Sequence, residues 1–315
     1  MPFQLVFLDA ATLGDADITL LKQPNCHLTL HDYTAAVDIV PRLQHADIAI
    51  VNKCVLDAAT LQQLPRLKAI MIAATGTDNV DIAAANHAGI VVKNVQNYAE
   101  TAVPQQVFAL LLALTNQLIH YHHAVQNGAW SKSKSFCLLD YPIMELAGKT
   151  LVIIGYGALG QKTAELAKVF GMNVIISERP DAVHARAGRV LLRTALAQAD
   201  VVSLHCPLTP DTFHLLNAER ISWLKPGAMI INTARGALID PNALISALHS
   251  RQVGAAGLDV LAQEPPPASD ILLNCKHPNL LITPHTGWAS QEARKRMVHK
   301  IAVNIHNFIA DRTDN

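Results

Sequence analysis

Short continuous apolar runs alternate along the chain with segments whose apolar residues recur every three to four positions. That alternation is the signature of a parallel α/β architecture. The runs "QLVFLD" (4–9), "DIAIVN" (47–52), "KAIMIA" (68–73) and "IVVKNV" (90–95) read as strands, with helices over 55–64 and 80–88 between them. A long helix is expected over about 101–120, with Pro104 in its first turn, where a missing N–H is tolerated. The stretch 127–149 is broken by Ser, Gly and Pro and reads as an irregular connector. Strands resume at 151–155, 173–177, 200–205, 228–232, 254–259 and 280–283, with helices at 158–170, 193–198, 217–223 and 240–250. In the last stretch, 289–310, Val298, Ile301, Ile305, Phe308 and Ile309 fall at helical spacing. One helix cannot form a domain, so it must pack on an earlier part.

The strand at 151 runs into "GYGALG", where Gly155, Gly157 and Gly160 match G-x-G-x-x-G around Ala158 and Leu159. The first glycine permits a tight turn, the second lets backbone approach a pyrophosphate, and the third allows close helix–strand packing. The helix that follows offers free N–H groups to phosphate. An acid, Glu178, closes the next strand, 21 residues beyond Gly157. A carboxylate there accepts hydrogen bonds from ribose hydroxyls and repels a 2′-phosphate, which points to NAD. Arg179 and Arg186 keep NADP open, because a nearby arginine accommodates that phosphate. A dinucleotide fingerprint starting only at residue 151 implies an inserted domain, with another domain entered first and rejoined at the end.

In open parallel sheets, ligands bind beyond the carboxyl ends of strands. Four charged or titratable residues follow such ends: Arg235 in "MIINTARGALID", Asp259 and Glu264 in "GLDVLAQEPPP", and His285 in "LLITPHTGW". Together they suit reduction of a 2-keto acid. An arginine fork binds the substrate carboxylate through two parallel hydrogen bonds. A histidine delivers the proton near neutral pH, and a carboxylate beside it favours the imidazolium and fixes its orientation.

Composition changes little in this picture. At 315 residues, two domains of ordinary size are expected. With 25 basic and 25 acidic residues, nothing favours nucleic acid or an anionic membrane as partner. The start "MPFQLVFLDA" lacks the basic region of a signal peptide, and "VFALLLAL" (107–114) is far shorter than a membrane span, so it reads as a buried helix. Five scattered cysteines without a CxxC pair fit free thiols in the cytoplasm.

The segments "GYGALG", "HCPLTPDT", "LKPGAMIINTARGALID", "GLDVLAQEPP" and "NLLITPHTGW" resemble, in order and spacing, the D-isomer-specific 2-hydroxyacid dehydrogenase family. Within it, "ATGTDNVD", "VQNYAETAVPQQVFALLLAL" and "SFCLLDYPIMELAGKTL" are most similar to the glycerate dehydrogenase (hydroxypyruvate reductase) branch. The resemblance implies two Rossmann-like doubly wound parallel-sheet domains. Residues 1–98 and 286–315 would form a discontinuous substrate domain and 99–285 the NAD-binding domain. It implies Arg235 as substrate anchor, His285 as acid/base, Glu264 as its partner, and Asp259 facing the nicotinamide carboxamide. Cys206, Pro207, Thr212, Thr233 and Ala234 would line the cofactor, and the peptide N–H groups near Thr75 and Gly76 would bind the substrate carboxylate. It further implies hydroxypyruvate and D-glycerate as substrate pair, glyoxylate as a poorer one, and a homodimer contacting through 101–120 and 127–149. Pro104-Gln105 departs from the family's usual Ala-Glu.

Other readings carry less. His120 and His123 lie one helical turn apart, but no Cys or carboxylate completes a metal site with them. Trp130 and Trp288 fit plain packing as well as a substrate pocket. His205 and Cys206 are adjacent on a strand and point to opposite faces, against a nucleophile pair. A non-enzymatic NAD(H)-sensing corepressor would be marked by a lost catalytic residue, and a short phosphoglycerate dehydrogenase remains a second enzyme reading.

Overall fold

The computed structural model describes residues 2–313. The chain divides into two compact units: residues up to Tyr98 together with Ala289 onward, and Ala99–Trp288.

The first unit holds a five-stranded parallel sheet of β1 (Phe3–Phe7), β2 (Cys26–Leu30), β3 (Ile48–Val51), β4 (Ala69–Ile72) and β5 (Val91–Asn94). Their spatial order is β2-β1-β3-β4-β5. β3 and β4 are buried at every residue, which is why they read as unbroken apolar runs. β2 was not expected. It is a partly exposed edge strand, "CHLTL", in which polar residues alternate with apolar ones and no continuous run forms. Helices α1 (Ile39–Leu43), α2 (Ala58–Gln62) and α3 (Ile82–His87) connect the strands. Asp57 and Asp81 cap α2 and α3 by accepting the N–H groups of Thr60 and Ala84.

The second unit opens with α4 (Ala102–Thr115) and α5 (Leu118–Gln126), where sequence periodicity predicted one helix. Gln117 takes a left-handed conformation (φ 53°), and the two axes bend by 57°. α4 spends its apolar face on the sheet through Val107, Leu110, Leu111 and Leu114, whereas α5 buries no residue, so nothing holds the two in line. Gly257 permits the approach: a Cβ there would lie 3.0 Å from Leu110 Cβ. No single helix among the described residues is long and apolar enough to cross a membrane.

Beyond the irregular 127–149 segment come β6 (Thr150–Ile154), α6 (Ala158–Val169), β7 (Asn173–Ile176), α7 (Leu192–Leu196), β8 (Val201–Leu204) and α8 (Ala218–Ser222). They are followed by β9 (Ala228–Asn232), α9 (Pro241–His249), β10 (Val253–Leu258), α10 (Ile271–Asn274) and β11 (Leu280–Ile282). The six parallel strands lie in the order β11-β10-β9-β8-β6-β7. The strand order therefore reverses between β6 and β8, and the loops leaving these strands diverge around a crevice.

The final helix, α11 (Gln291–Thr313), returns to the first unit. Ala293, Met297, Val298, Ile301 and Ile305 form its buried stripe. Arg294 donates to Leu13 O (2.7 Å) and Asp15 Oδ1 (2.6 Å), and Asn304 Nδ2 donates to Asn94 O (3.2 Å). These bonds tie the end of the chain to its beginning.

Candidate active site

The glycine turn has a steric logic that differs at each position. Gly155 sits at φ 96°, and a Cβ on it would lie 2.4–2.7 Å from backbone atoms of His205 and Cys206. A Cβ on Gly160 would lie 2.2 Å from Gly155 O, so α6 packs on β6 only without one. Gly157 faces open space and begins α6 with no side-chain cap, leaving the helix N–H groups of Ala158 and Leu159 to a ligand.

Beyond β7, Glu178 is 2% exposed. It accepts the N–H of Arg179 (2.9 Å), the N–H of Arg186 (3.1 Å), and the guanidinium of Arg186 through Nε (2.8 Å) and Nη2 (2.5 Å). The Arg186 side chain first, then the Arg179 N–H, hold its carboxyl well below the usual carboxylate range. Both residues line a cavity of about 690 Å³ with Gly155, Cys206, Pro207 and Thr212. Thr212 shapes this cavity indirectly, since its hydroxyl donates to Pro207 O (2.7 Å) and accepts from Thr209 N (2.7 Å). Burial pushes the Cys206 thiol up to about 11, which keeps it protonated and unsuited to attack.

At the end of β9, buried Asn232 staples the next three residues. Its Oδ1 accepts from Ala234 N (3.0 Å) and its Nδ2 donates to Arg235 O (2.8 Å). The loop thus presents Arg235, partly buried, whose Nη1 also donates to Ala234 O (2.8 Å). Thr233 Oγ1 is buried with no hydrogen-bond partner in the described structure. Buried hydroxyls are rarely left so, and a ligand group beside it would satisfy the atom.

The loops after β9 and β10 touch at Gly236, where a Cβ would fall 2.0–2.4 Å from Leu261 and Ala262 backbone. Leu261 N donates to Glu264 Oε1 (3.0 Å), and Glu264 Oε2 pairs with His285 Nδ1. Arg235, Glu264 and His285, separate in sequence, are thereby gathered at the carboxyl edge of one sheet. Because Nδ1 faces the carboxylate, Nε2 is the nitrogen left to meet a substrate. His285 itself is left-handed (φ 53°), a conformation that surrounding structure must hold.

Asp259, 1% exposed, supplies that hold. It accepts from Thr283 Oγ1 (2.5 Å), Thr286 N (3.0 Å) and Gly287 N (2.7 Å), pinning the turn on both sides of His285. Gln106 of α4 completes the network by donating to Thr283 Oγ1 (3.0 Å). Sequence reasoning did not single out Asn232, Gln106 or Thr283. The only signal was a neutral polar residue next to an apolar run. Thr75 and Gly76 follow β4 in the first unit, where Thr75 Oγ1 donates to Val95 O (3.0 Å).

The family model for "D-isomer specific 2-hydroxyacid dehydrogenase, NAD binding domain" matches residues 108–287, nearly all of the second unit. The chain is 45% identical over 315 residues to a glycerate dehydrogenase of Methylorubrum extorquens, covering 100% of this chain and 99% of that one. The chain belongs to the D-isomer-specific 2-hydroxyacid dehydrogenase family. A hydroxypyruvate reductase of Blautia hydrogenotrophica is 37% identical, with 97% of each chain covered. Among solved structures, an acyclic imino acid reductase in complex with NADPH and D-Arg superposes with a TM-score of 0.87 at 27% identity, covering 98% of both chains. As a member of this family, the protein is an NAD(P)-dependent dehydrogenase built on two parallel Rossmann-like sheets. Its residues fit the cofactor: the glycine turn, the uncapped start of α6 and the orphaned Thr233 hydroxyl are features a bound dinucleotide would satisfy.

Proposed function

We propose that the chain reduces hydroxypyruvate to D-glycerate, with glyoxylate as a poorer substrate. The observation that carries the chemistry is the Glu264–His285 pair gathered with Arg235 at one sheet edge. Full-length likeness to a glycerate dehydrogenase and a hydroxypyruvate reductase supports the choice of substrate. A nicotinamide dinucleotide held at the glycine turn would supply the hydride for the carbonyl carbon. Arg235 grips the substrate carboxylate with its planar fork, which sets the carbonyl's orientation. His285 gives the proton on Nε2 to the carbonyl oxygen as negative charge develops there. Glu264 neutralises the imidazolium before transfer and fixes the ring plane throughout.

The substrate assignment is tested by steady-state kinetics with hydroxypyruvate, glyoxylate, pyruvate and 3-phosphohydroxypyruvate. Hydroxypyruvate should give the highest kcat/KM, and faster turnover of the phosphorylated or methyl keto acid refutes the choice. For assembly, we infer a homodimer contacting through the 127–149 segment. Phe136 and Leu139 stand 89% and 83% exposed there beside Trp130 at 53%, an apolar surface of the kind that partners cover. Light scattering of Phe136→Ser, Leu139→Ser against the parent checks this, and an unchanged mass rules that segment out.

A further inference from the structure

The loop leaving β4 in the first unit is held by its carbonyls. Ala74 O accepts Val95 N (3.0 Å), and Thr75 O accepts Asn94 Nδ2 (2.6 Å). The Thr75 hydroxyl turns to the same side, donating to Val95 O (3.0 Å). In a regular strand successive carbonyls alternate in direction, so two neighbouring ones drawn to the end of β5 mark a local irregularity. A trans peptide sets its N–H opposite its C=O, and the N–H groups of Thr75 and Gly76 therefore both face away from β5. Neither meets a protein acceptor among the described residues. Two successive N–H groups facing one way form a small concavity for an anion, here at the carboxyl edge of a parallel sheet, where ligands bind. The two peptides differ in what holds them. Main chain fixes the Ala74–Thr75 peptide, whereas the Thr75–Gly76 peptide depends on one side-chain amide, Asn94 Nδ2. Asn94 is itself fixed: it ends β5 in register with Ile72, and its carbonyl accepts Asn304 Nδ2 of α11 (3.2 Å).

We propose that Asn94 is a positioning residue that aims the Gly76 N–H at the carboxylate of the 2-keto acid, with Asn304 steadying Asn94 from α11. The donor on Thr75 O also polarises the amide, so the N–H at the other end of the same peptide becomes a stronger donor. The C-terminal helix, distant in sequence, thereby takes part in substrate binding. Without the Asn94 amide the peptide is free to rotate, and its N–H no longer waits in the direction from which the anion comes. A carboxylate is present in the ground state and the transition state alike, so the loss should fall on KM rather than kcat. The inference rests on the proposed reaction only in naming the anion.

Steady-state kinetics of the full chain at saturating NADH test this. Asn94→Ala should raise KM for the keto acid roughly 10-fold, the size expected for loosening a charge-assisted hydrogen bond, with kcat within about threefold of the parent. Asn94→Asp keeps the shape but sets an acceptor against Thr75 O, so its KM at pH 8 should exceed that of Asn94→Ala. That excess should shrink as pH falls to 5, since a protonated carboxyl regains a donor. Asn304→Ala leaves the Asn94 amide in place and should raise KM by roughly 2–5-fold. Fluorescence titration of NADH should give the parent's dissociation constant in all three. A merely structural role would lower kcat and the thermal midpoint with KM unmoved, and that result overturns the proposal. An Asn94→Asp variant no worse than Asn94→Ala at pH 8 overturns it too. Should the parent prefer another 2-keto acid, the substrate assignment falls, while the same KM ratios read on that acid still decide the role of Asn94.

Discussion

Replacing Asp259 by Ala should disable the site without touching any group that reacts. Its carboxylate, 1% exposed, is the acceptor for Thr286 N–H, Gly287 N–H and the Thr283 hydroxyl. Hydrogen bonds to a charged acceptor are worth about 1.5–3 kcal/mol each, and a buried donor left without one costs about 1–3 kcal/mol. Removing the acceptor strands two backbone donors, while water entering the small cavity recovers part of the loss. The net destabilisation should be about 3–5 kcal/mol, in the range found when one partner of a buried charged network is deleted. The same bonds hold the left-handed turn at His285, so Nε2 should wander by about an ångström, which costs on the order of 100-fold in rate. Urea unfolding and kcat/KM at saturating cofactor measure the two effects. Asp259→Asn separates them further: it keeps the volume, but one of its two positions is an amide donor facing an N–H donor. Asn should therefore fall between Asp and Ala in both assays. An Ala variant with the parent's unfolding midpoint and turnover would show that the turn needs no anchor, and the positioning argument would fail.

Other expectations follow from the same geometry. His285→Ala should lower kcat by roughly 10²–10⁴ while binding NADH normally, because the lost group is a general acid and lies outside the glycine turn; stopped-flow turnover and fluorescence titration of NADH check the pair. Gly157→Ala should leave thermal stability near the parent's and weaken NADH binding, since its Cβ meets nothing within the chain; Gly160→Ala, with a Cβ 2.2 Å from Gly155 O, should lose about 1–3 kcal/mol of stability as well. Burial pushes the His205 imidazole down from 6.5 to about 4, so the folded state resists its protonation. The stability this contributes is present above pH 6.5 and is lost as pH falls toward 4, by roughly 3 kcal/mol at 1.36 kcal/mol per unit. Urea midpoints at pH 7 and 4.5 should differ less in His205→Gln than in the parent, and equal differences would refute the assignment.

The buried strands were legible because both faces of a parallel sheet are covered. β3, β4, β6 and β8 carry apolar residues at nearly every position, and no helical period produces that pattern in so few residues. β2 escaped notice for the opposite reason, since an edge strand with His27 and Thr29 needs no apolar run. The break at Gln117 was equally hidden. Helical periodicity continues through Leu118 and Ile119, and only the placement of α4 against the sheet shows that these two residues stay exposed.

The candidate site divides along a similar line. Arg235, Glu264 and His285 stood out because a charged or titratable residue ending an apolar run is conspicuous, and the topology of parallel sheets assigns strand ends to ligands. What holds them in place did not stand out, because those residues are neutral, polar and distant in the chain. Gln106 reaches Thr283 across 177 positions, and nothing in "VPQQVF" distinguishes it from the neighbouring Gln105. Arg186 lies eight residues past Glu178 in a stretch without regular structure, so its two-pronged grip emerged only from coordinates. Reactive groups announce themselves by their own chemistry, whereas a supporting group is defined by the atom it meets. The Asp259 network illustrates the consequence: its acid was visible at a strand end, but its task, holding His285 in a conformation the backbone disfavours, depends on three donors from the 283–287 segment, one of which Gln106 of α4 holds in turn.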